Sequence, residues 1–143
     1  WMVSGPNIMP VSGGVNPTQG MDGWKSEFKH ESEIIQPGYH RLFLDRYKTW
    51  VEYTATDRVT FYRLNYTSDK NATLLVDIGS VLGNCSMDKG ALLRISDKRI
   101  VGEFMTTERF WGGPDSLKLC FVLDCSVPIK KIDGWVRKES IRM

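Results

Sequence analysis

Three titratable side chains stand close together in the stretch SEFKHESEIIQPGYHRLFL, residues 26–44: His30, Glu31 and Glu33. Imidazole and carboxylate groups at this spacing could hold a metal ion or transfer a proton. In an extended segment, Glu31 and Glu33 share one face while His30 and Glu31 point to opposite faces. Two carboxylates on one face can share a proton or a cation. The alternative is a solvated edge strand whose charges oppose aggregation.

Tryptophans beside glycine-rich turns are the second set of candidates. Sugar rings stack on exposed aromatic faces, because axial C–H bonds meet the negative face of the π system. Trp24 and Trp111 lie in predicted loops, and RFWGGPD, residues 109–115, is the best candidate binding loop. Its Gly112 and Gly113 would let a ligand approach the backbone closely. These positions predict a carbohydrate site, and the alternative is that the rings fill a core.

Other short signals each have two interpretations. Asp57 and Arg58 fit either a hairpin turn with a local ion pair or a loop at the rim of a ligand cleft. Three N-x-S/T sequons would matter in a eukaryotic secreted protein, although chance explains them about as well. They begin at Asn65, Asn71 and Asn84. The sequence contains no GxSxG elbow, P-loop, HExxH or GxGxxG motif.

The three cysteines, Cys85, Cys120 and Cys125, cannot form a full disulfide framework because their number is odd. Cys120 and Cys125 are five positions apart on one predicted strand, so their side chains would point to opposite faces. Pairing them would need the strand to end or bend. We therefore predict buried or inert thiols. Zinc is the less favoured alternative, since no CxxC pair accompanies them.

Size and charge exclude several classes of function. The chain has 143 residues, enough for one domain, with 41% hydrophobic and 25% charged residues. Its formal net charge is +2, and no basic run is present to follow a phosphate backbone. No apolar segment reaches the roughly 18 residues of a membrane span. We expect neither nucleic acid nor a membrane as a partner.

Hydrophobic residues alternate with a period of two through much of the chain. In one segment Leu117, Leu119 and Phe121 share a face, and Lys118 and Asp124 lie on the other. Such runs are rich in β-branched and aromatic residues, which is typical of half-buried strands. The predicted strands span residues 39–46, 48–56, 58–66, 72–79 and 116–125.

Turn signals separate these strands, at residues 37–38, 68–71, 88–90, 96–98 and 111–116. Strands spaced in this way predict an all-β, antiparallel sandwich or barrel. No segment of 12 residues has a convincing helical period.

The part of the chain before Tyr39 is predicted to be less regular. Residues 1–23 are expected to form an irregular lead-in, with one short strand near Ile8 to Val11. Ser26 to Ile35 is predicted to be a further extended segment. The chain begins with Trp1 and has no recognisable signal peptide, so we interpret it as a processed form or a fragment.

The segment EFKHESEIIQPGYHRLFLDRYKTWVEYTATDRVTFYRLNY, residues 27–66, carries a longer pattern. It resembles the N-terminal domain of the glycoside hydrolase family 92 α-mannosidases. Residues 119–135 resemble the family's following strand, with Cys125, Val127 and Ile129 departing from it. The matching residues of the first segment are Phe28, His30, Glu31, Glu33, Pro37, Gly38, Tyr39, Leu44, Asp45, Tyr47, Val51, Glu52, Thr54, Ala55, Thr56, Arg58, Val59 and Phe61.

This resemblance implies an antiparallel β-sandwich of the supersandwich, galactose-mutarotase-like type. It would span residues 1–143 as a single domain and be a fragment of the full sandwich. In the family, this sandwich packs on an (α/α)6 barrel that supplies the acid and base for inverting, calcium-dependent hydrolysis of α-mannosides. The barrel is absent from this chain. We therefore expect the chain to be inactive alone, calcium to belong to the parent enzyme, and His30, Glu31 and Glu33 to be structural or interface residues.

Three functions stand as alternatives. The first is the non-catalytic N-terminal part of an α-1,2-mannosidase type of glycosidase, completing a substrate pocket at the contact with the helical domain. The second is an autonomous carbohydrate-binding module that uses Trp24 and Trp111, and the third is a purely structural domain. The resemblance implies α-mannoside glycans and the helical domain as partners, and a periplasmic or secreted bacterial protein. Exposed sheet edges would also permit a homodimer.

Overall fold

The computed structural model describes residues 5–67, 71–82, 85–107 and 116–135. Within these ranges the chain forms β-strands and two short 3-10 helices, and none of them is an α-helix. No helix in the described ranges is long and apolar enough to cross a membrane. The strands are β1 (Asn7–Ser12), β2 (Ile34–Gln36), β3 (Tyr39–Leu44), β4 (Thr49–Ala55), β5 (Thr60–Tyr66), β6 (Ala72–Asp77), β7 (Val81–Leu82), β8 (Cys85–Arg94), β9 (Arg99–Thr107) and β10 (Ser116–Asp124).

The strands fall into two compact units. Residues 8–75 contain the four-stranded sheet β2-β3-β4-β5, in which every neighbouring pair is antiparallel. Most of β1 and β6 also lies in this unit, where the two strands pair. The unit from residue 76 onward contains the antiparallel sheet β10-β9-β8-β7. The prediction of an all-β, antiparallel fold is confirmed.

The core of the first unit lies at one end of its four-stranded sheet. Val11, Leu44, Tyr47 and Val51 form a buried cluster. Thr49 is also fully buried, and its hydroxyl donates to the Tyr47 carbonyl at 2.9 Å, so the polar atom is satisfied. Residues that pack against this cluster are Met9, Val15, Trp24, Leu42 and Leu64.

The Pro37–Gly38 turn joins β2 to β3, as predicted. Gln36 pairs with Tyr39 across it, and Gly38 has a φ of +75°. A proline followed by a residue with positive φ is the signature of a type II turn, and glycine adopts that φ without strain. The turn sets the register in which Ile35 faces His40.

The prediction that Ser26 to Ile35 is extended is wrong in its middle. His30–Ser32 forms a 3-10 turn, and β2 begins only at Ile34. Two backbone bonds close this turn, from Ser32 N–H to the Lys29 carbonyl at 3.0 Å and from Glu33 N–H to the His30 carbonyl at 3.1 Å. Residues in a 3-10 turn do not alternate between two faces as residues in a strand do. Glu31 and Glu33 therefore do not share a strand face. Pro17–Gly23 in the lead-in is likewise 3-10 in character.

The second unit contains three strands that the sequence did not predict, β7, β8 and β9. The predicted turn at residues 88–90 lies inside β8, where a bulge shifts the register between Asp88 and Ala91. Lys89 has a φ of +51°, and its N–H donates to the Asp88 carboxylate at 2.7 Å. Asp, Lys and Gly therefore accommodate a bulge here instead of reversing the chain. The predicted turn at residues 96–98 is confirmed as the β8–β9 connection.

Candidate functional site

The chain has two histidines, and both hydrogen-bond the same carboxylate. His30 Nδ1 lies 2.7 Å from Glu33 Oε2, and His40 Nε2 lies 2.7 Å from Glu33 Oε1. The Glu33 side chain is 10% exposed and that of His40 is 19% exposed, whereas His30 is largely in solvent. An ionised carboxylate only accepts hydrogen bonds, so each imidazole donates its N–H to Glu33. This His30–Glu33–His40 arrangement ties the 3-10 turn to β3.

Electrostatics keep Glu33 ionised. The hydrogen bonds from His30 and then His40 lower the pKa of the Glu33 carboxyl, while its partial desolvation opposes them. Glu31, its neighbour in the 3-10 turn, is exposed. The predicted pairing of Glu31 with Glu33 is therefore replaced by a pairing of Glu33 with two imidazoles.

A chain of contacts continues from His40 across the sheet. The Tyr53 hydroxyl lies 2.6 Å from His40 Nδ1, and the two rings meet edge to face with centroids 5.0 Å apart. A neutral imidazole carries one N–H, and that of His40 points to Glu33. In the neutral form, His40 Nδ1 is therefore an acceptor and the Tyr53 hydroxyl donates to it.

One residue from each strand of the sheet lines up in a row, which we call the cross-strand row: Ile35, His40, Tyr53 and Tyr62. Direct register pairs link Ile35 to His40, His40 to Tyr53 and Tyr53 to Tyr62. Ile35 is 72% exposed, Tyr53 37% and Tyr62 44%, and the two tyrosine centroids are 5.8 Å apart. Directly paired residues of a sheet share one face. The row is thus a surface of exposed Ile35 and tyrosine side chains, with the half-buried His40 imidazole between them, at the end of the sheet opposite the buried cluster.

The other face of the same sheet carries the charges. Glu52 lies between Arg41 and Arg63 in register. It accepts from the Tyr39 hydroxyl at 3.0 Å and from Arg63 Nη1 at 3.3 Å. The Arg41 guanidinium lies 4.1 Å from the centre of the Trp50 ring, a cation–π contact. These partners fix Glu52 as an acceptor within the sheet surface.

Trp24 is half-buried and packs against the core cluster of the first unit. Its carbonyl accepts from the Tyr47 hydroxyl at 2.7 Å. The other predicted sugar-binding residues, Trp111, Gly112 and Gly113, lie outside the described residues. The proposed role of these four residues stays a prediction.

A shallow cleft of about 430 Å³ is lined by charged loops next to Trp24. Three of the charged groups around it, those of Asp22, Lys25 and Arg46, already have partners. Arg46 Nη1 donates to the Lys25 carbonyl at 3.1 Å, and Lys25 pairs with Asp22 at 2.7 Å. The lining residues are Asp22, Lys25, Ser26, Glu27, Asp45 and Arg46.

Metal binding finds no support in the part of the chain that the structure describes. No three His, Cys, Asp or Glu side chains there lie close enough together to hold a metal ion. Asp57 and Arg58 lie in the β4–β5 turn, which is closed by a bond from Thr56 N–H to the Val59 carbonyl at 2.8 Å.

None of the three cysteines is in a disulfide, and their environments differ. Cys85 is buried, as one form of the prediction required, whereas Cys120 is exposed, so its predicted inertness stays a prediction. Strand β10 places Cys120 on the outer side of the alternation, paired with Glu103. Burial, followed by the charge of Asp124, raises the pKa of the Cys125 thiol. A raised pKa lowers the thiolate fraction and hence the reactivity of Cys125.

The sequence pattern of the glycosyl hydrolase family 92 N-terminal domain matches residues 3–142. The chain belongs to this domain family. A search of curated proteins finds no match. Two solved structures of a family 92 alpha-mannosidase from Bacteroides thetaiotaomicron, one of them in complex with mannoimidazole, are similar in fold, each with a TM-score of 0.71 and 24% identity over 80% of this chain. The chain spans 15% of the length of the one and 16% of the other.

The assignment to the family 92 N-terminal domain confirms the resemblance on which the β-sandwich prediction rested.

The cross-strand row itself was not predicted. The period-two pattern did place His40 with Leu42, and Tyr62 with Leu64, on single faces. The missing signal was the register, which the two-residue Pro37–Gly38 turn and the four-residue loop between β3 and β4 determine.

Changing Glu33 to glutamine tests the two-imidazole arrangement. Because the folded state lowers the pKa of Glu33, the ionised carboxyl stabilises the fold above the ordinary pKa of about 4.5. That contribution is lost as the pH falls through the lowered value. We expect the difference in thermal unfolding midpoint between wild type and Glu33→Gln to be full at pH 7 and to shrink towards pH 3. Glu31→Gln is the matched control and is expected to stay close to wild type. A wild-type advantage over Glu33→Gln that is unchanged at pH 3 would contradict this account.

Proposed function

We propose that this family 92 N-terminal domain is the non-catalytic β-sandwich part of a glycoside hydrolase that acts on α-mannosides, of the α-1,2-mannosidase type. It would contribute to the substrate pocket where it meets a helical catalytic domain. The observation that carries the proposal is the family match over residues 3–142. The similar fold in a solved alpha-mannosidase that is about five times as long supports a catalytic domain elsewhere in a longer protein.

The bonding of the carboxylates supports a non-catalytic role. An inverting glycosidase needs two carboxyl groups about 6.5–9.5 Å apart, with space for a water molecule. Glu33 uses both oxygens to accept from imidazoles, and Glu52 accepts from Tyr39 and Arg63. A general acid needs a raised pKa, whereas the pKa of Glu33 is lowered. Both groups are suited to positioning their neighbours.

Exposed apolar side chains support a contact with a further domain. On the face of the sheet that carries the cross-strand row, Ile35 is 72% exposed, Tyr62 44% and Tyr53 37%. Contiguous apolar surface of this kind marks interaction sites in soluble proteins. We propose that this face of the sheet contacts the catalytic domain. The alternative of an autonomous module built on Trp24 gains less support, since Trp24 packs against the core.

Hydrolysis assays test the proposal. The 143-residue chain alone is expected to release no mannose from α-1,2-mannobiose, with or without added calcium, because in this proposal the helical domain supplies the paired acid and base. The longer protein that contains this chain is expected to hydrolyse it. The matched control is the longer protein with this domain deleted, which should lose activity. Turnover by the chain alone would refute the non-catalytic role. A longer protein that cleaves other glycosides and leaves α-mannosides intact would refute the substrate class.

A further inference from the structure

The cross-strand row has the surface of a ring-binding platform. Its four residues lie on successive strands, which are about 4.8 Å apart, so the row extends about 14 Å. Tyr62 lies at one end of the row and Tyr53 lies next to it. The two partly exposed rings have an interplanar angle of 40°. Aromatic rings offer large apolar faces at low entropic cost, because few rotatable bonds are immobilised. The row can therefore stack a flat apolar face of a ligand.

The hydrogen-bond chain determines which polar contact the platform offers. Glu33 orients His40, and when His40 is neutral the Tyr53 hydroxyl donates to its Nδ1 over 2.6 Å. The remaining lone pair of Tyr53 is then an acceptor held at a fixed position. A ligand that contacts Tyr53 must supply a donor, such as a hydroxyl group.

The distribution of charge favours an uncharged ligand over an anionic one. Arg41 and Arg63 pair in register with Glu52 on the opposite face of the sheet. The ionised group next to the row is the Glu33 carboxylate, which repels anions. An uncharged ligand with an apolar ring face and several hydroxyl groups fits best, and a pyranose combines these features.

We propose that Tyr53 and Tyr62, flanked by Ile35 and His40, form a binding subsite for an uncharged pyranoside ring. Tyr62 supplies the stacking face, Tyr53 accepts from a ligand hydroxyl, and Glu33 acts as a positioning residue through His40. The inference rests on the proposed function for its choice of mannoside as the natural ligand. It deepens that function by naming the residues of this domain that contact the sugar.

Titration with methyl α-D-mannopyranoside tests the subsite, followed by NMR chemical shifts on the 143-residue chain. The expected result is saturable shifts that map to His40, Tyr53 and Tyr62. Tyr62→Ala should weaken binding about tenfold, which corresponds to about 1.4 kcal/mol, because it removes the stacking face. Phe61→Ala is the matched control, because Phe61 precedes Tyr62 on β5, faces the other side and is 60% exposed. It should leave affinity unchanged.

Further variants and ligands separate the outcomes. Tyr53→Phe keeps the ring and removes the acceptor, so it should weaken binding several-fold while stacking persists. Should Tyr62→Ala unfold the chain, the shift map of the wild type still decides. Saturable binding of methyl β-D-galactopyranoside at the row, without binding of the mannoside, would keep the subsite and overturn the mannoside assignment. Shifts elsewhere, or no saturable shifts with either sugar, would overturn the subsite and leave the hydrolysis assay of the longer protein to judge the proposed function.

Discussion

Phe104→Ala is expected to be the most damaging single truncation in the second unit. Phe104 is 1% exposed, and its ring packs against that of Phe121 with centroids 6.3 Å apart. Removing a buried phenylalanine side chain loses its transfer free energy and leaves a cavity, at a cost of about 3–5 kcal/mol. That is a large fraction of the ~5–15 kcal/mol by which a domain is stable. We expect the free energy of unfolding to fall by that amount.

Urea unfolding followed by tryptophan fluorescence and circular dichroism measures the effect. Phe61→Ala is a control of the same residue type, because Phe61 is 60% exposed on β5. It should change the free energy of unfolding by no more than about 0.5 kcal/mol. Equal losses of unfolding free energy in Phe104→Ala and Phe61→Ala would show that the buried Phe104 ring contributes no more to stability than an exposed ring. Non-coincident transitions for the two probes would show that the two units unfold separately.

Period-two alternation predicted the first unit well because its strands bury one face at a time. Leu42 and Leu44 face the core while Arg41 and Phe43 lie on the other face, as the pattern indicated. The chain also signalled its tightest turn directly, since Pro37–Gly38 carries the conformational preferences that the turn requires.

Predictions from the period-two alternation were wrong where local hydrogen bonds or a bulge interrupt a strand. At residues 30–33, backbone bonds and the His30–Glu33 contact favour a 3-10 turn over an extended strand. At Asp88 to Ala91, a bulge interrupts β8, so turn-forming residues appear inside a strand. Sequence alone does not distinguish a bulge from a reversal, because both favour Asp, Lys and Gly.

The candidate site depended on register, which the sequence left undetermined. His30 and Glu33 were recognised from their spacing, whereas His40, Tyr53 and Tyr62 are 7, 20 and 29 positions beyond Glu33 in the chain. Only the pairing of four strands brings them into one row. A one-residue slip between β3 and β4 would move Tyr53 to the face of Arg41. The resemblance to family 92 identified the domain, but it did not identify this row.

Gly102→Ala is expected to have the second-largest effect, through overpacking. Gly102 is buried on β9 opposite Phe121, and a Cβ there would lie 2.5 Å from Phe121 Cε1 and 2.7 Å from Leu92 Cδ2. Both contacts are too close for real atoms, so the ring and the leucine must move. Such overpacking costs about 1–3 kcal/mol, which outweighs the ~0.5–1 kcal/mol that alanine gains over glycine within a strand.

A double-mutant cycle distinguishes this clash from a general intolerance of change at Gly102. Gly79→Ala is the control, since a Cβ there meets nothing within 4 Å and the change should be nearly neutral. Phe121→Leu shortens the side chain that lies over Gly102, and it should destabilise on its own. If the clash is the cause, Gly102→Ala should cost less in the Phe121→Leu background than in wild type, giving a coupling free energy of about 1 kcal/mol. Strict additivity would mean that Phe121 does not pack on Gly102. The close fit to Phe121 would then not explain why β9 carries a glycine at this position. Ile100 and Phe104, its neighbours on the same face of β9, both carry buried side chains.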